Sequence, residues 1–197
     1  MRSFEELLAE ARVSHGHLCA GQVLGVRMAM LGCRELGIED PADDQRLVVF
    51  VEMDRCAADA IQMVTGCRLG RRSLKHVDYG KMAATFVDTA SGEAVRVAAL
   101  AGLRERAVSL RPQASGKDAQ MAFYGSLPDG DLFVVRRVRV SLPAEDLPGP
   151  PISRVICERC GEEVSDRREV HVNGTVLCRR CAHGGYYQVV DPPGASA

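Results

Sequence analysis

Ser14-His15-Gly16-His17-Leu18-Cys19-Ala20-Gly21, residues 14–21, is the stretch around which the chain is organised. It places two imidazoles and a thiol within five residues, directly ahead of an apolar segment rich in Gly and Met. His15, His17 and Cys19 alternate, so in an extended loop all three side chains point to the same side. Imidazole nitrogen and thiolate sulfur are ligands that suit zinc and iron. The stretch therefore predicts part of a metal site.

A helix is predicted on each side of this stretch. Ser3 and Glu6 form a capping box ahead of apolar residues at helical spacing, which predicts a helix from Phe4 to Arg12. A second helix is predicted over residues 20–36, closed by Gly37. A stripe of small residues runs along it at Gly21, Gly25, Ala29 and Gly32. Such a stripe lets another backbone approach closely, either within the same subunit or across a dimer seam.

The next elements bring two further cysteines towards the same region. Residues 46–52 are rich in β-branched residues and predict a buried strand. The strand leads into a helix over residues 54–64, which we expect Asp54 to cap. Cys56 lies at the start of that helix, where the macrodipole favours a thiolate, and Cys19 has the same position in the preceding helix. Cys67, just after the helix, is equally suited to ligation and to packing.

The rest of the core is predicted to complete an α+β domain. Thr85–Asp88 and Ala94–Ala98 flank a Ser-Gly turn and predict a β-hairpin. A helix over residues 100–111 and a last strand over residues 132–140 follow. The predicted fold class is therefore α+β, with helices packed on a mixed or antiparallel sheet and a small zinc-binding module at the C-terminus.

Composition limits the classes of function. The chain has 197 residues, 46% hydrophobic and 26% charged, with a net charge of −1, so no global field draws it to nucleic acid or an anionic membrane. The longest apolar run falls short of the ~20 residues of a spanning helix, and the N-terminus lacks the apolar core of a signal peptide. We therefore expect a cytoplasmic, reducing location. There the eight cysteines are better interpreted as metal ligands, reactive thiols or buried residues than as disulfides.

A Pro-rich segment is expected to divide the chain. Residues 148–153 predict a stiff linker between a core domain, residues 1–147, and a small module, residues 154–190. Residues 191–197 are predicted to be a disordered tail.

The C-terminal module carries the spacing of a structural zinc site. Its ligands are two CxxC pairs separated by seventeen residues, Cys157 with Cys160 and Cys178 with Cys181. Two residues between thiols let each turn present both sulfur atoms to one metal ion. A module this short cannot be stable from hydrophobic burial alone, so we expect Zn²⁺ to supply much of its folding energy.

Four motifs together resemble the FmdE family of formylmethanofuran dehydrogenase proteins. They are His15-Gly-His17-Leu-Cys19-Ala-Gly21, Asp54-Arg-Cys56-Ala-Ala-Asp59-Ala-Ile-Gln62, Thr65-Gly66-Cys67 and Asp78-Tyr79-Gly80-Lys81. The terminal double knuckle, similar to a zinc ribbon or treble clef, also resembles family members that carry a zinc module. The chain departs from the family pattern at Ala20, where proline is usual, and at Arg68, where threonine is usual.

The resemblance implies an α+β core, commonly a homodimer, with a metal or active site built from the His and Cys motifs. It implies no particular reaction, and FmdE is not the component expected to hold a molybdenum or tungsten pterin. The leading hypothesis is a cytoplasmic metal-binding protein with a second metal ion, Zn²⁺ or Fe, in the core. The candidate core ligands are His15, His17, Cys19, Cys56 and Cys67. The candidate catalytic residues are Cys19, His17, Asp59 and Lys81, with Glu52 and Asp54 as further groups that orient ligands or handle protons.

Two alternatives stay open. The chain is an accessory subunit or metallochaperone of a molybdenum or tungsten oxidoreductase, meeting an anionic cofactor or partner through basic residues at Arg68, Arg71, Arg72 and Lys75. Or it is a regulator that binds DNA through the zinc module, although the near balance of arginine and acidic residues there argues against nucleic-acid binding. No Gly-rich phosphate loop and no Ser-His-Asp order is evident, so nucleotide hydrolysis and serine catalysis have no support.

Overall fold

The computed structural model describes residues 1–110 and 116–190 and divides into two compact units, Met1–Ser141 and Leu142–Ala197. The helices of the first unit are α1 (Phe4–His15), α2 (Ala20–Glu35), α3 (Cys56–Thr65), α4 (Leu103–Leu110), α5 (Gly116–Ser126) and α6 (Asp129–Leu132). Its strands are β1 (Leu47–Val51), β2 (Leu74–His76), β3 (Ala83–Asp88), β4 (Ala94–Ala99) and β5 (Phe133–Val138). They form one five-stranded sheet in the order β2-β1-β3-β4-β5. Only the β1–β2 pair is parallel, so the sheet is mixed and the predicted α+β class is confirmed.

Helix α1 delivers the first histidine of the opening stretch. The capping box of Ser3 and Glu6 is formed as predicted. The helix continues three residues beyond the predicted end at Arg12, and it stops at Gly16, whose φ of 84° is a left-handed conformation that favours glycine. His15 is therefore the last residue of a helix and not part of an extended loop, which corrects the geometry inferred from the alternation of ligands.

Helices α2 and α3 pack closely and in parallel along the stripe of small residues. A Cβ atom at Gly25 would lie 2.6 Å from the carbonyl oxygen of Ala57 and 2.7 Å from the Cβ of Ala60. Further along α2, a Cβ at Gly32 would lie 2.2 Å from the ring of Phe86 on β3. The first of the two alternatives is confirmed, because the stripe serves packing within the same chain. This packing brings the N-termini of α2 and α3 to the same end.

Two details around α3 differ from the predictions. The N-cap of α3 is Arg55 and no side chain caps the helix, so the predicted cap by Asp54 is wrong. The basic segment after Gly66 was predicted to be a loop, but part of it forms β2, with Leu74 paired to Val49 of β1. Three residues are too few for an alternating pattern to reveal a strand.

The core of the first unit lies between the helices and the sheet, with Met28, Ile61 and Phe86 among its largest buried side chains. Glu52, at the end of β1, is only 5% exposed. The guanidinium of Arg96 donates to both of its carboxylate oxygens, at 2.6 and 2.7 Å. Glu52 is thus engaged in a bidentate ion pair that satisfies a buried charge.

The second unit consists of two hairpins and a short helix. Its elements are β6 (Arg154–Ile156), β7 (Glu163–Ser165), β8 (Val170–Val172), β9 (Thr175–Leu177) and α7 (Arg179–His183). Its buried apolar cluster consists of only Cys157, Leu177 and Cys181. The predicted linker, residues 148–153, falls within this unit, and the predicted tail, residues 191–197, lies outside the described residues.

Across residues 1–110 and 116–190, no helix combines the length and the apolar character that crossing a membrane requires.

Candidate metal centre

Three of the predicted ligands come together where α1 ends and α2 begins. One ligand atom each from His15, His17 and Cys19 lies within 4.8 Å of the other two. The two imidazole rings are 4.7 Å apart between centroids. Cys19 is the N-cap of α2, with φ −144° and ψ 166°, and it makes no side-chain capping bond, so its sulfur is not committed to the helix. Two imidazoles and a thiol at this separation fit the donor set of a zinc or iron site.

Asp59 determines which nitrogen of His15 is free. Its Oδ2 atom lies 2.9 Å from Nδ1 of His15. A carboxylate on one ring nitrogen holds the proton there and leaves Nε2 as the unprotonated ligand atom. Asp59 is on α3, 44 positions along the chain, so this pair connects α3 to the ligand cluster.

Cys56 lies beside Cys19, although it is not one of the three clustered ligands. It is the first residue of α3, and its thiol is in hydrogen-bonding contact with the thiol of Cys19. Burial and the neighbouring Cys19 raise the pKa of Cys56 above its usual value. A Cβ at Gly21 would lie 3.1 Å from the Cβ of Cys56 and 3.7 Å from the sulfur of Cys19. Gly21 thus leaves the room in which the two thiols meet.

Gln22 supports the same region from below. Its Nε2 donates to the carbonyl oxygen of Cys56 at 2.6 Å, and the side chain is 1% exposed. Its Oε1 is buried and has no hydrogen-bond partner among the described residues. Gln22 was missed by the sequence analysis, because its position in the apolar face of α2 gives no signal of a polar contact with another helix.

A cavity of about 530 Å³ opens next to the cluster. It is bounded by α3, the end of β1 and the β2 region, with His15, Cys56 and Asp59 at the side nearest the ligands. The remaining lining residues are Val51, Met53, Asp54, Arg55, Ala58, Gln62, Leu69, Leu74 and His76. Its volume is in the range of small-molecule sites, and its walls combine apolar side chains with a few polar groups.

The other predicted site residues lie elsewhere. Cys67 follows the C-terminus of α3 and is 3% exposed, and its thiol donates to the carbonyl oxygen of Leu47. Because α3 has ten residues and is therefore about 15 Å long, Cys67 is separated from Cys56 at the other end. Lys81 is exposed, with its ammonium 5.5 Å from the ring of Tyr79. The structure does not bring Cys67 or Lys81 into the cluster.

The second cluster consists of the four C-terminal cysteines, whose sulfur atoms lie within 4.8 Å of one another. The amide of Cys178 donates to the sulfur of Cys157 at 3.2 Å, and the amide of Cys181 donates to the sulfur of Cys178 at 3.3 Å. Amide groups of Cys178 and Cys160 lower the pKa of Cys157 to about 6. Four converging thiols with amide bonds to sulfur fit a tetrahedral structural zinc ion.

Comparison with known proteins identifies both parts of the chain. Residues 14–133 match the family model described as FmdE, Molybdenum formylmethanofuran dehydrogenase operon. The chain belongs to the FmdE family. Residues 151–187 match the prokaryotic dksA/traR C4-type zinc finger, which agrees with the cluster of four thiols. The family resemblance predicted from the four motifs and the zinc module is confirmed.

A solved structure and a curated protein are similar to this FmdE-family chain. An FmdE-like protein of tungsten formylmethanofuran dehydrogenase, from Syntrophus aciditrophicus, matches with a TM-score of 0.63 and 22% identity, covering 95% of this chain and 96% of the other. A probable S-adenosyl-L-methionine-binding protein of Archaeoglobus fulgidus is 34% identical over 93% of this chain. The chain spans only about half of that relative, 54% of its length, so the match assigns no S-adenosylmethionine site to the shared half.

Proposed function

We propose that the FmdE-family unit binds a second metal ion, zinc or iron, through Nε2 of His15, His17 and Cys19, with Cys56 as the candidate fourth ligand. The observation that carries the proposal is the convergence of these three donors together with the Asp59 carboxylate on Nδ1 of His15. A carboxylate behind a histidine ligand is the usual way in which proteins fix its tautomer and orientation.

The surroundings suit a site that reacts with a small molecule. His15 and Cys56 belong both to the ligand region and to the lining of the cavity, so a molecule in the cavity would lie against the metal site. In this arrangement His15 and Cys19 hold the ion, Asp59 orients His15, and the apolar lining at Val51, Met53 and Leu74 excludes water from one side. A bound zinc or iron ion would supply Lewis-acid or redox chemistry there.

Metal content per chain tests the proposal. Wild-type protein is expected to hold one zinc ion in the C4 zinc finger and a second, more weakly bound ion in the core. Cys19→Ser should lose the second ion only, because it removes a clustered ligand. Cys33→Ser is the matched control, since Cys33 is completely buried within α2 and outside the cluster. Equal metal content in wild type and Cys19→Ser would contradict the proposal.

A second candidate function is an accessory role in a molybdenum or tungsten oxidoreductase, in which the protein acts as a homodimer in the cytoplasm. The description of the family model by its formylmethanofuran dehydrogenase operon favours this candidate. The exposed segment at Arg68, Leu69 and Arg71, with Leu69 64% exposed, is a surface that an anionic partner could meet. Affinity purification from the native host should recover a large oxidoreductase subunit, and Arg68→Glu with Arg71→Glu should weaken its recovery. Recovery of an active homodimer alone would count against this candidate.

A further inference from the structure

The thiols of Cys19 and Cys56 form a pair that the metal site alone does not explain. They are in hydrogen-bonding contact, and both are free. They belong to different helices, α2 and α3, whose N-termini lie at the same end of the unit. Gly21 is the residue that permits this approach, because any Cβ there would lie 3.1 Å from Cys56. The pair therefore depends on tertiary packing and not on a local CxxC sequence.

Both thiols are also accessible to a small reagent. Cys19 and Cys56 are half-buried, and Cys56 lines the cavity of about 530 Å³. The other two cysteines of the unit, Cys33 and Cys67, are 0% and 3% exposed. Thiol reactivity requires access as well as proximity, so the first pair is distinguished from the second.

We propose that Cys19 and Cys56 form a reversible disulfide by exchange with a low-molecular-weight disulfide such as oxidised glutathione. One thiolate attacks the reagent, forms a mixed disulfide and releases one thiol of the reagent. The second thiolate attacks the mixed disulfide at the protein sulfur and releases the other thiol. The two cysteines are oxidised to one disulfide and the reagent is reduced to two thiols, so electrons and protons balance.

The disulfide and the core metal compete for Cys19. A metal ligand must be a thiolate, and a sulfur in a disulfide no longer offers one. Cys19 belongs both to the cluster with His15 and His17 and to the pair with Cys56. Oxidation would therefore remove one clustered ligand and release the ion, and a bound ion would protect the pair. This competition rests on the proposed function, whereas the disulfide itself does not.

Peptide mapping of the full-length protein tests the inference. Protein with its zinc finger loaded and its core stripped of metal is incubated with oxidised glutathione, alkylated and digested without reduction. The expected result is the loss of two free thiols per chain and a cross-linked pair of peptides that contain Cys19 and Cys56. Cys33→Ser and Cys67→Ser should give the same cross-link. Cys56→Ser should instead keep glutathione attached to Cys19.

Other outcomes separate the two claims. Wild-type protein that shows only glutathione adducts, or no loss of thiols, would overturn the disulfide. A cross-link that forms equally fast with and without added zinc would overturn the competition with the metal. If no core metal binds at all, the proposed function fails while the cross-link is still expected. Circular dichroism of each variant shows whether a loss of cross-linking reflects unfolding.

Discussion

Replacing Asp59 by Asn tests whether this carboxylate orients a metal ligand. Asn keeps the size of the side chain but removes the charge that holds the proton on Nδ1 of His15, 2.9 Å away. Groups behind a metal ligand typically contribute 10–100-fold to affinity. Because the Asp59 side chain is 63% exposed and its charge is screened by solvent, we expect the lower end, about tenfold or ~1.4 kcal/mol.

Asp54→Asn is the matched control for this experiment. Asp54 also lines the cavity and its side chain is 74% exposed, but its charge partner is Arg55 and not a ligand. Zinc affinity of the core site is measured by competition with a chromophoric chelator, with the zinc finger filled beforehand and Cys19→Ser as the baseline. Asp59→Asn should weaken binding about tenfold, whereas Asp54→Asn should leave it unchanged. Equal affinities for the two variants would refute the role of Asp59.

Three further predictions concern stability. Gly25→Ala places a methyl group against the backbone of Ala57, so calorimetry should show destabilisation by about 1–3 kcal/mol; a raised Tm would contradict the close packing of α2 on α3. Burial raises the pKa of Asp129, but Arg34 and Arg27 outweigh it and hold the pKa below 3.8, so its stabilisation is complete above that value and is lost as the pH falls through the lower folded pKa. Asp129→Asn should therefore flatten the acid limb of stability measured by urea unfolding, and an unaltered limb would exclude the ion pairs as its cause. Removing zinc with a strong chelator should unfold the C-terminal unit, seen as rapid proteolysis within residues 154–183, and continued resistance would show that metal is not its main support.

Sequence spacing revealed the parts of both sites that are local. The CxxC pairs bring their thiols together within single turns, and His15, His17 and Cys19 lie close because the chain turns at Gly16 directly ahead of α2. The stripe of small residues showed that α2 meets another backbone closely. It could not show which one, because Gly25 packs just as well against a helix of the same chain as against a partner.

The remaining features depend on tertiary packing. Asp59 was a candidate for its type and motif, but its bond to His15 exists only because α3 lies beside the end of α1. Cys56 and Cys67 had similar local signals, and the length of α3 separates them. Gln22 gave no signal, since nothing in an apolar helix face reveals that an amide will bond the carbonyl of a neighbouring helix.

Anomalous diffraction at the metal edge of crystals grown with zinc is the most direct test of a second metal site. Two peaks per chain are predicted, one among the four zinc-finger cysteines and one bound by His15, His17 and Cys19. The second should lie at about 2.0–2.1 Å from the imidazole nitrogens and about 2.3 Å from the sulfur of Cys19. A peak among the four cysteines alone, at full zinc occupancy there, would contradict a metal centre in the FmdE-family unit.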